Sequence, residues 1–295
     1  FLPEASGTMC GIGIVISMDK ETGNCIINNV LEGSPAEKSG LKAGDKIISI
    51  DGVKTDGMSV VDVSALTKGQ KDTKVIIGIY REGSGEKSFE ITRSTIDMQY
   101  VNGKKDGDIG YIEITEFSKV TAAQFEKELL SLLKQGIKGL IIDLRNNPGG
   151  MVDVVTEIAD MLLPEGIITY TVDKNGNRVD FKSEEGCIDI PIAVLVNEGS
   201  ASASELLAGA LQDNGRGVII GTQTYGKGIV QGLYSLSDGS GLKITIQKYF
   251  TPDGVCIQGI GITPDYEIES DDRSASDNDK QYVKALEILN DKIKG

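Results

Sequence analysis

Short runs of Ile and Val, bounded by Gly, Asp or Asn, follow one another along the first third of the chain and predict β-strands. The pair Ser34-Pro35 predicts the start of a short helix, with serine as the N-cap and proline in the first helical position. A second helix is predicted over residues 59–66, and Asp51-Gly52 predicts a hairpin turn. The predicted strands are residues 11–17, 25–30, 46–50, 74–80 and 87–92.

Beyond about residue 96 the pattern changes to strands that alternate with longer helices, which is typical of an α/β fold with a largely buried sheet. The charged stretch 102–108 predicts a hairpin or a linker. Apolar residues at positions 283, 286, 289 and 293 predict an amphipathic helix over 281–294. The other predicted elements are strands 109–115, 138–144, 191–196, 217–221, 229–236 and 242–249 and helices 121–135, 151–162 and 202–213.

The length of 295 residues and the change of pattern predict two domains. We place the first over residues 1–96 and the second over residues 97–269. Residues 270–295 are expected to form an acidic spacer followed by a terminal helix that packs on the core of the second domain.

The composition excludes several kinds of catalysis, because the chain has no histidine. Ser/His/Asp hydrolases, zinc proteases with an H-E-x-x-H motif and cysteine peptidases all need an imidazole. Acid or base catalysis near neutral pH must then use Lys, Asp, Glu, Tyr or Cys. With 44 acidic against 30 basic residues the net charge is −14, which disfavours nucleic acid and anionic membranes as partners.

The four cysteines, at positions 10, 25, 187 and 256, form no C-x-x-C pair, so we expect no zinc site and no cofactor. A bridge between Cys10 and Cys25 requires that their strands pair. No apolar run approaches the roughly 18 residues of a bilayer span. Because the first residue is Phe, we interpret the chain as a processed or truncated form without its targeting segment.

A serine lies at a sharp corner of the predicted α/β domain. The predicted strand 191–196 runs into Asn-Glu-Gly-Ser-Ala-Ser-Ala-Ser-Glu, residues 197–205, and then into a helix. Sites of α/β sheets lie at the carboxyl ends of strands, and helical N–H groups beside Ser202 could support a developing oxyanion. The alternative is structural, because Ser202 and Glu205 also have the spacing of a capping box.

The candidate base is Lys227, which has glycine on both sides. Close packing of these glycines could bury the amine, and burial favours the neutral form that accepts a proton. The alternative is an ordinary solvated lysine. Residues 221–227 also spell G-x-x-x-x-G-K, the start of a phosphate-binding P-loop. Against that interpretation, Gly228 replaces the expected Ser or Thr, and residues 229–231 predict a strand.

Residues 33–52, G-S-P-A-x-x-S-G-L-K-A-G-D-x-I-x-x-I-D-G, resemble a PDZ domain, together with the segment Gly11-Ile12-Gly13-Ile14 ahead of them. The resemblance implies a groove for the carboxyl end of a polypeptide, which would add as a strand beside residues 12–17. Backbone N–H groups of the loop from Cys10 to Gly13 would hold its carboxylate. The alternative is that Gly11 and Gly13 serve only a tight turn into the strand.

Several motifs in order resemble the carboxyl-terminal processing peptidases, or tail-specific proteases, of the S41 family. They are N-E-G-S-A-S-A-S-E from 197, L-Q-D-N-G-R from 211, T-Y-G-K-G-x-V-Q from 224, D-L-R-N-N-P-G-G from 143 and T-P-D-G-x-x-I-Q-G-x-G-I-T-P-D from 251. The resemblance covers nearly the whole chain. The helical segment that precedes the PDZ domain in this family is not part of the sequence, which leaves the oligomeric arrangement open.

The resemblance implies roles for particular residues. Ser202 would be the nucleophile and Lys227, 25 positions later, the general base, oriented by Gln231. The N–H groups of Ala203 and Gly150 would donate to the oxyanion, with Gly149 as the neighbouring candidate. Asp213 matches a family position near the site. The structural alternatives are an ordinary strand polar group for Gln231, a turn after Pro148 for the two glycines and a structural carboxylate for Asp213.

The implied fold is an α/β (mixed α+β) multidomain chain, a PDZ β-barrel-like domain plus a ClpP/crotonase-like α/β serine peptidase core. The implied function is a serine endopeptidase with a Ser/Lys dyad that recognises protein C-termini through its PDZ domain and hydrolyses peptide bonds. Its partners would be proteins or peptides, with homo-oligomerisation left open. The alternative is a non-catalytic PDZ peptide-binding scaffold with an unassembled dyad. The resemblance points to the bacterial cell envelope or to secretion.

Overall fold

The computed structural model describes residues 8–19, 23–235, 240–269 and 273–294. The chain divides into two units, Phe1–Met98 and Gln99–Gly295. Their helices and strands confirm the predicted mixed α/β class. Over the described ranges, the helices are all too short or too polar to span a bilayer.

The first unit is built mainly of antiparallel strands. Its sheet has the order β2-β3-β4-β6-β7, with β5 beside β4, while β1 pairs separately with β8. These elements are β1 (Thr8–Gly11), β2 (Ile14–Met18), β3 (Cys25–Val30), α1 (Pro35–Ser39), β4 (Lys46–Ile50), β5 (Val53–Lys54), α2 (Val60–Thr67), β6 (Lys74–Arg81), β7 (Gly85–Thr92) and β8 (Ser94–Asp97).

Local sequence signals explain most of these elements. Ser34 caps α1 by accepting a hydrogen bond from the N–H of Glu37 at 3.2 Å, as the Ser-Pro pair predicts. Asp51 and Gly52 have positive φ angles of 49° and 79° between β4 and β5, which confirms the hairpin. The predicted strand 11–17 is divided into β1 and β2, because Gly13 at φ 83° turns the chain.

The cysteine pairing considered above does not occur. Cys10 on β1 lies opposite Thr95 on β8 rather than beside Cys25 on β3. All four cysteines are free thiols. Burial raises the pKa of the Cys25 thiol, which packs in the core of the first unit as a small apolar side chain.

The second unit contains two sheets. One has the order β18-β15-β14-β11-β10-β9, with β9 antiparallel and the other neighbours parallel, and the second has the order β13-β12-β17-β16. Its elements are β9 (Val101–Asp106), β10 (Ile109–Ile114), α3 (Thr121–Lys134), β11 (Gly139–Asp143), α4 (Val152–Leu162), β12 (Gly166–Asp173), β13 (Arg178–Ser183), β14 (Ile192–Val196), α5 (Ala203–Asp213), β15 (Gly217–Gly221), β16 (Ile229–Ser235), β17 (Gly241–Phe250), β18 (Tyr266–Glu267) and α6 (Lys280–Lys294).

The six-stranded sheet is covered on both faces. Alternate residues such as Ile142 and Val194 pack with α3, α4 and α5, whereas Ile141 and Leu195 pack with α6. β11 and β14 are buried along their whole length, as expected for strands between two helical layers. The stretch 102–108 is a hairpin between β9 and β10, which resolves the choice between hairpin and linker.

Two details of the predicted pattern are wrong. Of the four apolar positions that predict α6, Leu286, Leu289 and Ile293 pack on the core together with Tyr282 and Ala285, whereas Val283 is 41% exposed. The helix is rotated in this way because Tyr282 packs edge-on against Tyr111 and its hydroxyl donates to Asp106 at 2.8 Å. Strands β12 and β13 were not predicted, since they are defined by pairing with each other and with β17. Residue 236 of a predicted strand and residues 270–272 of the spacer lie outside the described residues.

A buried carboxylate organises the first unit. The guanidinium of Arg81 binds Asp45 through two hydrogen bonds of 2.6 and 2.7 Å, and the Asp45 side chain is 1% exposed. Burial opposes ionisation of Asp45, but the bonds from Arg81 and from the Lys42 N–H, with the charge of Arg81, outweigh it and lower its pKa.

We therefore expect Asp45→Asn to lower the unfolding free energy of the first unit by about 2–3 kcal/mol at pH 7, because it leaves the Arg81 charge without its partner. Because the pKa of Asp45 is lower in the folded chain than its unfolded value of about 3.9, ionised Asp45 stabilises the fold fully above that pH. This stabilisation is lost as the pH falls through the folded-state pKa. Amide hydrogen exchange of β4 at pH 7 and pH 3 measures the difference. If Asp45→Asn loses as much stability at pH 3 as at pH 7, the role of ionised Asp45 is contradicted.

Candidate active site

Ser202 lies at the corner where β14 gives way to α5. Its φ and ψ angles are 54° and −115°, a region that residues with a side chain rarely adopt. The residue is half-buried, while Ala201 and Ala203 on either side are buried. The structure thus holds a strained serine at the carboxyl end of a central strand, where the sequence predicts a corner.

Hydrogen bonds join this corner to the loop that follows β11. The Ala201 N–H and the Ser204 hydroxyl both donate to the carbonyl of Asn147, at 3.0 and 2.9 Å. The Ser200 hydroxyl donates to the carbonyl of Leu144 at 2.8 Å. Because α/β sheets form sites at the carboxyl ends of neighbouring strands, these bonds bring the loops after β11 and β14 into one structure.

Asn147 fixes the shape of the loop after β11. Its fully buried side-chain amide donates to the Ile114 carbonyl at 2.8 Å and accepts from the Gly149 N–H at 2.9 Å. Gly149 has a φ of 100°, and a Cβ atom there would lie 2.8 Å from Ser202 Cβ and 2.9 Å from the Ala203 nitrogen. A side chain at position 149 would therefore fill the space directly beside the serine corner.

Of the three predicted oxyanion donors, two are available. The Gly149 N–H is already bound by Asn147. In the described part of the chain, by contrast, the N–H groups of Gly150 and Ala203 bind no acceptor. Ala203 is the first residue of α5, where N–H groups lack helical acceptors and the helix dipole favours negative charge. Gly149 thus allows the loop after β11 to pack closely against the serine corner, whereas the N–H groups of Ala203 and Gly150 can donate to an oxyanion.

Glu205 joins the serine corner to the lysine loop, residues 224–228. Its side chain is fully buried and its two carboxylate oxygens accept four hydrogen bonds. The Ser202 N–H donates at 2.7 Å, the Thr224 hydroxyl at 2.7 Å, the Gly226 N–H at 2.6 Å and the Lys227 N–H at 2.9 Å. From the sequence Glu205 has only the spacing of a capping residue, because the three donors from the lysine loop are about 20 positions away.

The glycines of the lysine loop allow the close packing that was expected. A Cβ atom on Gly228 would lie 2.5 Å from the backbone nitrogen of Gln258, and Gly226 has a φ of 86°. The Tyr225 N–H donates to the Ser200 carbonyl at 3.0 Å, a second direct bond between the lysine loop and the serine corner. Lys227 itself is half-buried.

The side chains of the predicted dyad are close in the fold but not joined. Within the described ranges, no hydrogen bond links the Ser202 hydroxyl to the Lys227 amine, or Gln231 to Lys227. Gln231 is exposed on β16, opposite Thr245 on β17. The structure therefore fixes the backbone of Lys227 beside that of Ser202 through Glu205, with no direct hydrogen bond between the two side chains in the described ranges.

The P-loop interpretation of residues 221–227 is wrong. In a P-loop the backbone N–H groups point at phosphate oxygens. Here the N–H groups of Gly226 and Lys227 bind the carboxylate of Glu205, whose negative charge would repel a phosphate. The loop also leads into strand β16 rather than a helix.

Asp213 lies at the last residue of α5, about 16 Å from Ser202 at 1.5 Å per helical residue. Its carboxylate accepts a hydrogen bond from the Asp253 N–H at 2.9 Å. Asp213 therefore holds the turn after β17, which agrees with its structural interpretation. Among the described residues, no group of three Asp, Glu or Cys side chains is arranged to hold a metal ion.

The first unit contains a second candidate site, the loop Cys10–Gly13 at the start of β2. Cys10 and Gly11 end β1, and Ile14 begins β2, an outer strand of its sheet that packs beside α2. The N–H groups of Ile12 and Gly13 bind no acceptor within the ranges that the structure covers. Gly13 has to be glycine, since a Cβ atom would lie 2.3 Å from Ser34 Cβ.

Comparison with protein families gives two matches. Residues 108–268 match Peptidase family S41, and residues 4–79 match the PDZ domain. Both candidate sites lie within the matched ranges.

Comparison with individual proteins agrees. The chain is 41% identical to a carboxyl-terminal-processing protease of Synechocystis, covering 96% of this chain and 69% of that protein. It is 39% identical to the carboxy-terminal processing protease CtpA of Bacillus subtilis, covering 92% and 59%. Among solved structures, the photosystem II D1 C-terminal processing protease is 36% identical, with a TM-score of 0.57 over 90% of this chain and 73% of that one. A putative S41 protease of Bacteroides fragilis, 19% identical with a TM-score of 0.61 over 96% and 83%, shows the same fold.

The strain at Ser202 predicts an unusual stability change. The unfolding free energy of Ser202→Gly should be about 1 kcal/mol higher than that of Ser202→Ala, because only glycine adopts this φ without strain. Ser131, in the last turn of α3, is the matched control, where the glycine variant should instead be up to about 1 kcal/mol less stable than the alanine variant. Urea unfolding of the four variants measures both differences. If the glycine variant is more stable than the alanine variant at both positions, or less stable at both, the prediction is contradicted.

Proposed function

The chain belongs to peptidase family S41 and contains a PDZ domain, and from this premise we propose that Ser202 is its nucleophile and Lys227 its general base. As a serine endopeptidase of the carboxyl-terminal processing type, it hydrolyses peptide bonds. The observation that carries the assignment is the buried Glu205 carboxylate, which binds the backbone of Ser202 and of Lys227 together.

The reaction follows from the groups at the corner. Lys227 in its neutral form takes the proton of the Ser202 hydroxyl while the serine oxygen attacks the substrate carbonyl. The N–H groups of Ala203 and Gly150 donate to the oxyanion. When the tetrahedral intermediate collapses, the C–N bond breaks and the lysine returns its proton to the leaving amine. Water then attacks the acyl-enzyme by the same steps and releases Ser202.

The dyad has to complete its assembly before the reaction. Because the N–H of Lys227 is fixed to Glu205 and that of Tyr225 to Ser200, the loop itself is already in place. We infer that rotation about the side-chain bonds of Lys227 brings its amine to the serine. Gln231 stays a proposed orienting residue for that amine, since it lies on the same strand that leaves the lysine loop.

The PDZ domain binds the carboxyl end of a polypeptide, and we assign the binding to the loop Cys10–Gly13 and to β2. The N–H groups of Ile12 and Gly13, which bind no acceptor in the described part of the chain, can donate to a carboxylate, and the outer edge of β2 can pair with an extended chain. The half-buried Ile14 offers apolar surface beside that edge. An address in the bacterial cell envelope or outside the cell, and assembly into oligomers, stay predictions that cell fractionation and light scattering check.

Cleavage of an unfolded protein tests the proposed dyad. We expect Ser202→Ala and Lys227→Ala each to lower kcat at least about 1,000-fold, because nucleophile and base act as a unit. The fold should persist, since the Lys227→Ala variant keeps the N–H that binds Glu205. Lys174→Ala, in the turn between β12 and β13, is the control and should keep full activity.

Mass spectrometry of the products separates the alternatives. Fragments from the unaltered chain, and none from the two dyad variants, support the assignment. Undiminished cleavage by either variant rejects it, and an intact, bound polypeptide with every form would indicate the peptide-binding scaffold. Amidation of the substrate's carboxyl end should weaken its binding, because the amide lacks the charge that the PDZ loop accepts.

The contact between Gly149 and the serine corner gives a separate prediction. Gly149→Ala should lower kcat about 100- to 1,000-fold, because the added Cβ would lie 2.8 Å from Ser202 Cβ and 2.9 Å from the Ala203 nitrogen and must displace the nucleophile or the oxyanion donor. Gly176→Ala is the control for the backbone strain alone, since Gly176 also has a positive φ, of 85°, but has no atom within 4 Å of the added Cβ. Gly176→Ala should lose about 1 kcal/mol of stability, and Gly149→Ala should lose more because of the close contacts. Steady-state kinetics beside urea unfolding measure both effects, and an equal loss of kcat in the two variants would contradict the role of Gly149.

A further inference from the structure

The terminal segment of the chain, residues 273–282, reaches the loop after β11 through Arg145. The Arg145 side chain is only 2% exposed and lies between two carboxylates. It donates to Asp143 at 2.9 and 2.5 Å and to Asp279, just before α6, at 2.8 Å. Burial opposes the charge on Arg145, but the bonds and charges of Asp143 and Asp279 outweigh it and raise its pKa.

Two further residues of this segment touch the same region. Gln281 accepts a hydrogen bond from Arg145 at 3.1 Å. Arg273 donates to the side-chain oxygen of Asn146 at 2.7 Å and to the carboxylate of Glu198 at 2.9 Å. The segment therefore binds both the loop after β11 and the loop that leads to Ser202.

The loop after β11 has a conformation that needs support. Three of its residues, Asn146, Gly149 and Gly150, have positive φ angles of 59°, 100° and 147°. Such conformations persist only where surrounding contacts hold them. Asn147 binds the loop to Ile114 of β10. Asp279 and Arg273 of the terminal segment bind Arg145 and Asn146 of the same loop.

The polar contacts are not needed to dock the helix itself. Tyr282, Ala285 and Leu289 bury its apolar face against the sheet, and the Tyr282 hydroxyl binds Asp106. A buried arginine between two carboxylates is weak as a source of stability, because desolvation offsets the attraction of the charges. Its position in the loop after β11, four residues before Gly149, indicates a different use.

We propose that Asp279, acting through Arg145, is a positioning residue that keeps the Gly149-Gly150 turn in the geometry needed to bind the oxyanion. The terminal segment is then part of the catalytic machinery, although it does not touch the substrate. This inference rests on the proposed function of Ser202, Ala203 and Gly150.

Asp279→Asn tests the inference in the full-length chain. Asparagine caps a helix as well as aspartate does, so the change removes the charge that faces Arg145 and keeps the cap. We expect kcat to fall about 10- to 100-fold with KM unchanged, because a small displacement of an oxyanion donor weakens the transition state but not substrate binding. The inhibition constant of a peptide boronate, whose adduct with serine places an oxygen in the oxyanion site, should rise by a similar factor.

Asp106→Asn is the matched control, because it weakens the docking of α6 through Tyr282 without touching Arg145. It should change the melting temperature as Asp279→Asn does, while kcat and boronate affinity stay near those of the unaltered chain. Unchanged kcat in Asp279→Asn, or an equal loss of kcat in both variants, overturns the inference. Absence of cleavage by the unaltered chain would instead overturn the proposed function.

Gln281→Met provides the test if Asp279→Asn does not fold. It removes the hydrogen bond that Gln281 accepts from Arg145, together with the one that its amide donates to the Ile268 carbonyl, and keeps the volume of the side chain. We expect kcat to fall about 3-fold with KM unchanged, because Arg145 keeps its two carboxylate partners and loses only one hydrogen bond. An unchanged kcat in this folded variant overturns the inference.

Discussion

The buried carboxylate of Glu205 is the interaction on which the rest of the site depends. A carboxylate removed from water must find hydrogen-bond donors, and Glu205 finds four of them in two separate parts of the chain. One donor belongs to Ser202 and three belong to residues 224–227. The need to satisfy one charged group therefore brings the nucleophile and the base to the same place, although 25 positions separate them in the sequence.

Close packing of the backbone is the second constraint around the serine corner. Gly149 and Gly228 are glycines because a Cβ atom would lie less than 3 Å from neighbouring backbone or from Ser202. Ser202 itself keeps a backbone conformation that costs free energy, and the bonds to Glu205 and Asn147 hold the corner in that state. Hydrogen bonds thus hold the backbone of the corner, whereas in the described part of the chain the Lys227 amine makes no hydrogen bond to the serine.

The terminal segment extends this network across the sheet. Its helix is docked by apolar side chains, whereas Arg273, Asp279 and Gln281 bind the residues before the Gly149-Gly150 turn. The ion pair between Arg145 and Asp279 is buried, whereas the ion pair between Arg273 and Glu198 is exposed. The last part of the sequence therefore completes a site whose reacting residues all lie earlier in the chain.

The sequence by itself determined the periodic elements, the corner at Ser202 and the absence of an imidazole base, because these depend on neighbouring residues or on composition. It misplaced only Val283 among the apolar positions of α6, because Tyr111 and Asp106 attract Tyr282 from distant strands. It omitted β12 and β13, whose existence depends on pairing. Only the tertiary structure decided that Glu205 holds two loops, that the Gly149 N–H is already bound and that Asp279 faces Arg145. Each of these depends on buried polar groups finding partners far away in the sequence, and no local pattern specifies which partner that is.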